Sequence, residues 1–209
     1  MPQPHILKIT EIFPSIAGEG LRSGEPTIFI RLAGCNLRCA FCDTKYSWQG
    51  GKGFSEEKII ETVRRIQGRF PADWVCLTGG EPLLQDVEPL VKMLIKEGFK
   101  IHIETNGTVH FPFRVDWLTL SPKPQAYGFA PEFTTKTNEV KLVVSKELTL
   151  EVIQNLREKF PTQTPILLQP QSNRKWSLDM GMKLLKQTLN LGLKNIKISV
   201  QIHKIYGLK

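Results

Sequence analysis

Residues 27–42 read Thr-Ile-Phe-Ile-Arg-Leu-Ala-Gly-Cys-Asn-Leu-Arg-Cys-Ala-Phe-Cys. The run Thr27–Leu32 is β-branched and aromatic, which predicts a strand. Ala33-Gly34 closes it, and a loop follows that places Cys35, Cys39 and Cys42 within eight residues. Three thiolates on one short loop are able to hold three corners of a cubane iron–sulfur cluster and leave the fourth iron open. A structural zinc site is the alternative, but it takes four ligands, usually in two paired halves, and no second half exists in this chain. Unligated thiols are the third reading. The fourth cysteine, Cys76, falls in the middle of another apolar run and is expected as a packed core thiol. Clustered cysteines of this kind do not read as a disulfide framework.

Further along the chain, strand and helix signals alternate. Asp73–Thr78, Lys100–Glu104, Asp116–Leu120, Glu139–Val144, Pro165–Gln169 and Asn195–Val200 predict six more strands. Ser55 reads as a helix N-cap, with Glu56 and Glu57 in the first turn, an apolar face of Ile59, Ile60, Val63 and Ile66, and Gly68 as the stop. The sets Leu84/Val87/Leu90/Val91/Leu94/Ile95, Leu150/Ile153/Leu156/Phe160 and Leu184/Leu185/Leu189 predict three further helices. Strand, crossover helix and strand in succession indicate a parallel sheet with right-handed connections. Residues 105–115 and 122–138 show no helical period, so two crossovers lack a full helix. The fold class is therefore α/β, an abbreviated, open parallel (βα) partial TIM-type barrel. A Rossmann sheet is the rival, but no Gly-x-Gly-x-x-Gly follows the first strand. Polar clusters at the strand C-termini fit a barrel rim: Thr78–Pro82, Glu104–Thr108, Ser121–Lys123, Gln169-Pro170 and Gln201–Lys204.

Composition sets the outer limits. At 209 residues the chain is expected as one domain, 1–209, and 41% apolar residues argue against disorder. No apolar run approaches the roughly 20 residues of a spanning helix, and Met1–His5 lacks the basic and apolar regions of an export leader. A cytoplasmic protein with no membrane partner is expected. The net charge of +8 comes from scattered Lys and Arg, which favours a solvated basic surface or an anionic small ligand over nucleic acid.

Cys35-x₃-Cys39-x-Phe41-Cys42 after the first strand, with Thr78-Gly-Gly-Glu-Pro82 after the second, resembles the radical S-adenosylmethionine (SAM) superfamily. The residues Phe13–Gly20, Phe29–Cys35, Cys42–Thr44, Glu104–Thr108, Ser121–Lys123 and Gln201-x-His203-Lys204 narrow this to a resemblance with the 7-carboxy-7-deazaguanine synthase family, over nearly the whole chain. That resemblance implies a radical SAM core domain over 1–209, a 4Fe–4S cluster, SAM, Mg²⁺, and a homodimer. It also implies ring contraction of 6-carboxy-5,6,7,8-tetrahydropterin to 7-carboxy-7-deazaguanine with loss of ammonia, with electrons from a donor such as flavodoxin or ferredoxin.

By the same resemblance, Cys35, Cys39 and Cys42 bind the cluster and Thr44 binds Mg²⁺. Phe41, Cys42, Asp43, Gly80, Ser121, Pro122, Lys123 and Gln169 line SAM. Ile16, Ala17, Gly18, Glu19, Arg31, Thr78 and His203 meet the pterin. The family commonly has Gln where this chain has Ala17, so a side-chain contact is lost there while backbone contacts remain. Plainer roles stay open for several of these residues. Arg31 would close an ion pair, Glu19-Gly20 shape a turn, Thr44 cap the turn after the cysteine loop, Lys123 sit solvated, and His203 and Glu104 hold the rim; His5 and His110 are expected to be exposed. A glycyl-radical-enzyme activase explains the cysteine loop but not Ile16–Gly20 or Gln201–Lys204, and a non-catalytic iron–sulfur or zinc protein is the remaining alternative.

Overall fold

The computed structural model describes residues 5–209. Met1–Pro4, part of the stretch read as lacking an export leader, lie outside the described residues. The chain forms two compact units. One comprises the residues up to Ile16, Glu25–Thr105 and Phe111–Trp117; the other comprises Ala17–Gly24, Asn106–His110 and Leu118–Lys209.

The first unit contains β1 (Ile6–Ile16), β2 (Pro26–Leu32), β3 (Lys52–Ser55), α1 (Glu56–Gln67), β4 (Trp74–Gly79), α2 (Glu88–Lys96) and β5 (Lys100–Thr105). Its strands run in the order β3-β1-β2-β4-β5. β2, β4 and β5 are parallel, whereas β1 pairs antiparallel with both β2 and β3. The register places Glu11 opposite Arg31, Phe13 opposite Phe29, Arg31 opposite Thr78, and Cys76 opposite His102. Because side chains alternate along a strand, these residues share one face. The other face carries Ile28, Ile30, Val75, Leu77, Ile101 and Ile103, all 0% exposed, and is covered by α1 and α2.

Ser55 caps α1 through its hydroxyl, which accepts the Lys58 N–H at 3.4 Å. β1 and β3 are absent from the sequence reading, because Pro14 and Gly53 both demote a strand signal. α2 also starts later than its periodicity predicts. A 3₁₀ turn occupies Pro82–Leu84, Gln85 turns extended, and the helix begins at Glu88 with Pro89 in its first turn, where a missing N–H costs nothing. Leu84 is consequently exposed, at 45%; Ile95 lies inside the helix but on its outer side, 48% exposed, so neither is a core residue.

The second unit contains β6 (Trp117–Leu120, belonging to it from Leu118), α3 (Phe133–Lys136), β7 (Glu139–Val144), α4 (Leu150–Lys159), β8 (Ile166–Pro170), α5 (Lys175–Asn190), β9 (Ile196–Ile198) and α6 (Ile202–Ile205). Strands β6-β7-β8-β9 are adjacent in that order and all parallel. The buried face of α5 is Ser177, Gly181, Leu184 and Thr188, so Leu189, expected inside, is 62% exposed. Residues 106–116 carry no helix, and 122–138 carry only the four-residue α3, as the missing period predicts. No helix among the described residues is long and apolar enough to cross a membrane.

Candidate functional site

In the first unit, the three-cysteine loop leaves β2 and is stitched back at both ends. The Gly34 N–H donates to Ser47 O at 2.8 Å, the Cys35 N–H to Trp48 O at 3.2 Å, and the Cys42 N–H to Cys39 O at 3.0 Å. No disulfide engages any of the four cysteines; Cys39 is buried, and Cys35 and Cys42 are half-buried. Phe41 is half-buried beside them and Asp43 is exposed. Reduced thiols on one tight loop, partly open, are the donor set a cluster needs.

The glycine pair after β4 explains how the second motif approaches this loop. A methyl group on Gly80 would lie 1.9 Å from the Gly34 carbonyl oxygen, so only glycine fits. That same carbonyl accepts the Glu81 N–H at 2.7 Å. Glu81 is 0% exposed and anchors the turn, its carboxylate accepting from Thr105 Oγ1 at 2.7 Å and from the Leu83 N–H at 3.1 Å.

Thr44 Oγ1 lies 3.5 Å from Cys42 Sγ. The Thr44 hydroxyl does not cap the 3₁₀ turn that follows; its carbonyl does, accepting the Ser47 N–H at 2.9 Å and the Ser47 hydroxyl at 2.7 Å. Arg31 donates through Nε to Glu11 Oε1 at 2.8 Å and lies over the Phe13 ring at 5.5 Å. Ion pairing was the plainer role for Arg31, and the structure contains it. The pair nevertheless engages Nε alone, leaving the terminal amino groups of the fork. Tyr46 also donates to Glu11 Oε1, at 3.0 Å. Burial, the largest cause, holds the Tyr46 phenol above its ordinary pKa, and the hydrogen bond to Glu11 adds to the shift against the opposing charge of Arg31. Thr78 is buried and donates to Glu104 Oε2 at 3.4 Å. Cys76 is buried as expected, but among polar neighbours: its Sγ and the ligand-type atoms of His102 and Glu104 lie within 4.8 Å of one another. Ile16, the last residue of β1, is half-buried.

In the second unit, Ser121 and Pro122 are buried at the end of β6. Ser121 Oγ donates to the Lys141 carbonyl at 2.9 Å, and Lys123 Nζ donates to Ser121 Oγ. Gln169, at the end of β8, is 2% exposed, and neither its Oε1 nor its Nε2 has a hydrogen-bond partner. An unpaired buried carboxamide is costly, and a ligand edge offering one donor and one acceptor would satisfy it.

Ala17, Gly18 and Glu19 also belong to this unit, although they lie between β1 and β2 in sequence. Ala17 is buried, and its carbonyl accepts the Gly24 N–H at 2.8 Å. The His203 ring packs so closely on Gly18 that a methyl there would meet Nδ1 at 1.9 Å, and the Ile202 N–H donates to Gly18 O at 2.9 Å. Glu19 pairs with Lys141 at 2.5 Å. Glu139, 1% exposed, accepts the Leu21 N–H at 2.7 Å and the Thr119 hydroxyl at 2.8 Å. Sequence reading missed Glu11, Tyr46, Lys141 and Glu139. Two charges at alternate positions of an otherwise apolar strand, Glu139 and Lys141, were the available signal for the last pair.

Two kinds of comparison bear on this arrangement. The radical SAM superfamily model matches residues 29–179, and the chain is that class of protein, with an α/β fold of the abbreviated, open partial (βα) barrel kind. It is 35% identical over 214 residues to the 7-carboxy-7-deazaguanine synthase of Aquifex aeolicus, covering 98% of this chain and 95% of that protein. It is 33% identical to the synthase of Synechocystis over 96% of this chain and 93% of that one. The crystal structure of QueE from Escherichia coli superposes with a TM-score of 0.78 at 30% identity, over 95% of both chains. The chain belongs to the 7-carboxy-7-deazaguanine synthase family. With the superfamily come a 4Fe–4S cluster, SAM, a small-molecule substrate and an electron donor.

Proposed function

We infer that this chain is a radical SAM carbon–nitrogen lyase that converts 6-carboxy-5,6,7,8-tetrahydropterin to 7-carboxy-7-deazaguanine with loss of ammonia, in 7-deazapurine (queuosine-type) biosynthesis. The observation that carries the reading is identity of 33–36% with synthases from distant organisms over at least 96% of this chain. An activase or a non-catalytic iron–sulfur protein is not favoured by that likeness.

The cluster and SAM together supply, when bound, the radical that starts the ring contraction. Cys35, Cys39 and Cys42 would hold the cluster, with the Phe41–Asp43 backbone and Gly80 lining SAM. Gly80 lets the rim turn approach the loop without a side chain between them. Lys123 places a positive charge on Ser121, which suits a carboxylate, beside Pro122. Gln169 would pair its buried carboxamide with the cofactor. Glu11 fixes the plane of Arg31 through Nε, so its remaining amino groups would grip the substrate carboxylate as a fork. Thr78 holds Glu104 through its hydroxyl, and Ile16, Ala17, Gly18, Glu19 and His203 would line the pterin.

Thr44 would give its hydroxyl to Mg²⁺, which prefers hard oxygens and often takes only one or two protein groups. The reading extends to a single core domain over 1–209, a homodimer, a cytoplasmic location, and flavodoxin or ferredoxin as reductant. Anaerobic turnover with the carboxytetrahydropterin tests it, with product read by mass and ultraviolet absorbance. Formation of the deazaguanine and ammonia is expected; SAM cleavage without either product refutes it. Omitting Mg²⁺ and adding a chelator tests the metal in the same assay, and an unchanged rate refutes it.

A further inference from the structure

In the second unit, α5 spends few of its large apolar residues on the sheet beneath it. The face it buries is Ser177, Gly181, Leu184 and Thr188, so closely set that a methyl on Gly181 would meet Ile198 Cδ1 at 3.3 Å. Leu178, Met182, Leu185 and Leu189 form a second stripe at i, i+4, i+7 and i+11, roughly 100° around the helix from the first. Leu178 and Leu185 are half-buried, Met182 is 51% exposed and Leu189 62%. A right-handed crossover puts the preceding helix, α4, on the flank of α5 that carries Met180 and Gln187, away from this stripe. The stripe therefore faces the sheet edge, where β9 pairs with β8 alone among the described residues. Its spacing is that of a seam between two helices, on a flank where this chain supplies no second helix among the described residues.

We propose that this stripe is where two copies of the chain meet, α5 against α5, antiparallel about a two-fold axis. The proposal rests on the homodimer reading given above and names its face. The spacing reads the same from either end. A two-fold axis between Met182 and Leu185 therefore sets Leu178 of one copy beside Leu189 of the other, and Met182 beside Leu185, a contact that closes on itself. Charge agrees with this arrangement. Asp179 and Lys186 flank the stripe on its solvent side, and antiparallel stacking brings Asp179 of each copy beside Lys186 of the other. Parallel stacking would put those flanks on opposite sides of the seam. Asp179 already meets Lys175 at 2.7 Å, but an exposed pair of that kind is weak and leaves the carboxylate able to share a second cation. An unrelated partner would need neither the symmetric spacing nor the mirrored charges.

The test reads the dimer dissociation constant of the reconstituted full-length enzyme by sedimentation equilibrium over a dilution series. Met182→Glu and Leu189→Glu each place a carboxylate in the seam, twice over by symmetry, and each should raise that constant at least ~100-fold. Both side chains are exposed in the single chain, so iron content and helical circular dichroism should hold. Asp179→Lys should raise the constant ~10-fold, and adding Lys186→Asp, which restores opposite charges across the axis, should recover most of the loss. This swap changes exposed residues only, and carries the test should a Glu variant misfold. A wild type that stays monomeric refutes the homodimer reading and this proposal with it. A dimer unmoved by either Glu variant leaves the homodimer standing and refutes only the assignment of α5. Weakening by both Glu variants without recovery in the swap overturns the antiparallel arrangement.

Discussion

Replacing Gly80 with Ala puts a methyl group where the backbone leaves no space. The added carbon would sit 1.9 Å from Gly34 O and 2.5 Å from Gly34 C, and 3.1 Å from Cys35 Cβ. Carbon and carbonyl oxygen normally keep ~3.3 Å apart even in close contacts, so the two turns must part by more than ~1 Å. Neither side is a flexible side chain that could swing away. The separation stretches the 2.7 Å bond from the Glu81 N–H to Gly34 O beyond use. Overpacking costs ~1–3 kcal/mol and the lost bond ~1 kcal/mol, giving about 2–4 kcal/mol. Gly34 immediately precedes the first cysteine of the loop, and a misplacement of ~1 Å near a reacting centre costs on the order of 100-fold in rate. Gly80→Ala is therefore expected to lose iron on anaerobic reconstitution and to cleave SAM on the order of 100-fold more slowly. Gly34→Ala is the control. Gly34 has φ +100° but open space around the would-be methyl, so it carries backbone strain without the collision and should lose less than tenfold. Full iron content and an unimpaired rate in Gly80→Ala would refute the close-approach argument.

Replacing Cys35, Cys39 or Cys42 with Ala should each abolish cluster iron, whereas Cys76→Ala should retain it by iron and sulfide analysis, since Cys76 lies on β4 away from the loop. Thr44→Ala should slow product formation ~10- to 100-fold, in the range of perturbed metal sites, and blunt its Mg²⁺ response; Thr44→Ser should lose much less. Arg157 donates to Thr164 O at 2.7 Å, Phe160 O at 3.1 Å and Pro161 O; Arg157→Ala strands these carbonyls at ~3–5 kcal/mol and should lower Tm by ~6–20 °C in a scanning melt. The raised pKa of Tyr46 means that its contribution is present below a tyrosine's usual value near 10 and fades as pH rises through the raised value. Tyr46→Phe should consequently show a smaller alkaline loss of stability than wild type.

The sequence showed most clearly what depends on periodicity. Ser55 and Gly68 bound α1 as expected, and the parallel strands fall within about two residues of their predicted limits. Where a pattern had two physical readings, it misled. Leu84 fits the apolar spacing of α2, but Pro82 starts a 3₁₀ turn that takes it out of helical register. β1 is hidden by Pro14, which is tolerated because β3 pairs only Ile6–Ile9 and leaves β1 an edge strand at Pro14. Cys35, Cys39 and Cys42 were legible because chemistry requires them close in sequence. Lys141 and Glu19 were not, because 122 positions separate them, and no local pattern announces a long-range ion pair. Gln169 stands between: its place at a strand end was visible, but the unsatisfied state of its amide is a property of packing alone.

The membership of Ala17–Gly24 in the second unit has a consequence for biogenesis. Gly20 N–H donates to Ser199 Oγ across 179 positions, and Glu19 meets Gln201 across 182. At a synthesis rate of ~5–20 residues per second, the segment leaves the ribosome ~10–40 s before its partners are made. During that interval Glu19 lacks Gln201, and Gly18 lacks the imidazole that packs on it. The strands on either side, β1 and β2, contain their own pairing information and need not wait. A nascent chain is thus expected to acquire the cysteine loop early and the Ala17–Gly24 segment last, which makes that segment the longest-lived target for a protease acting during translation.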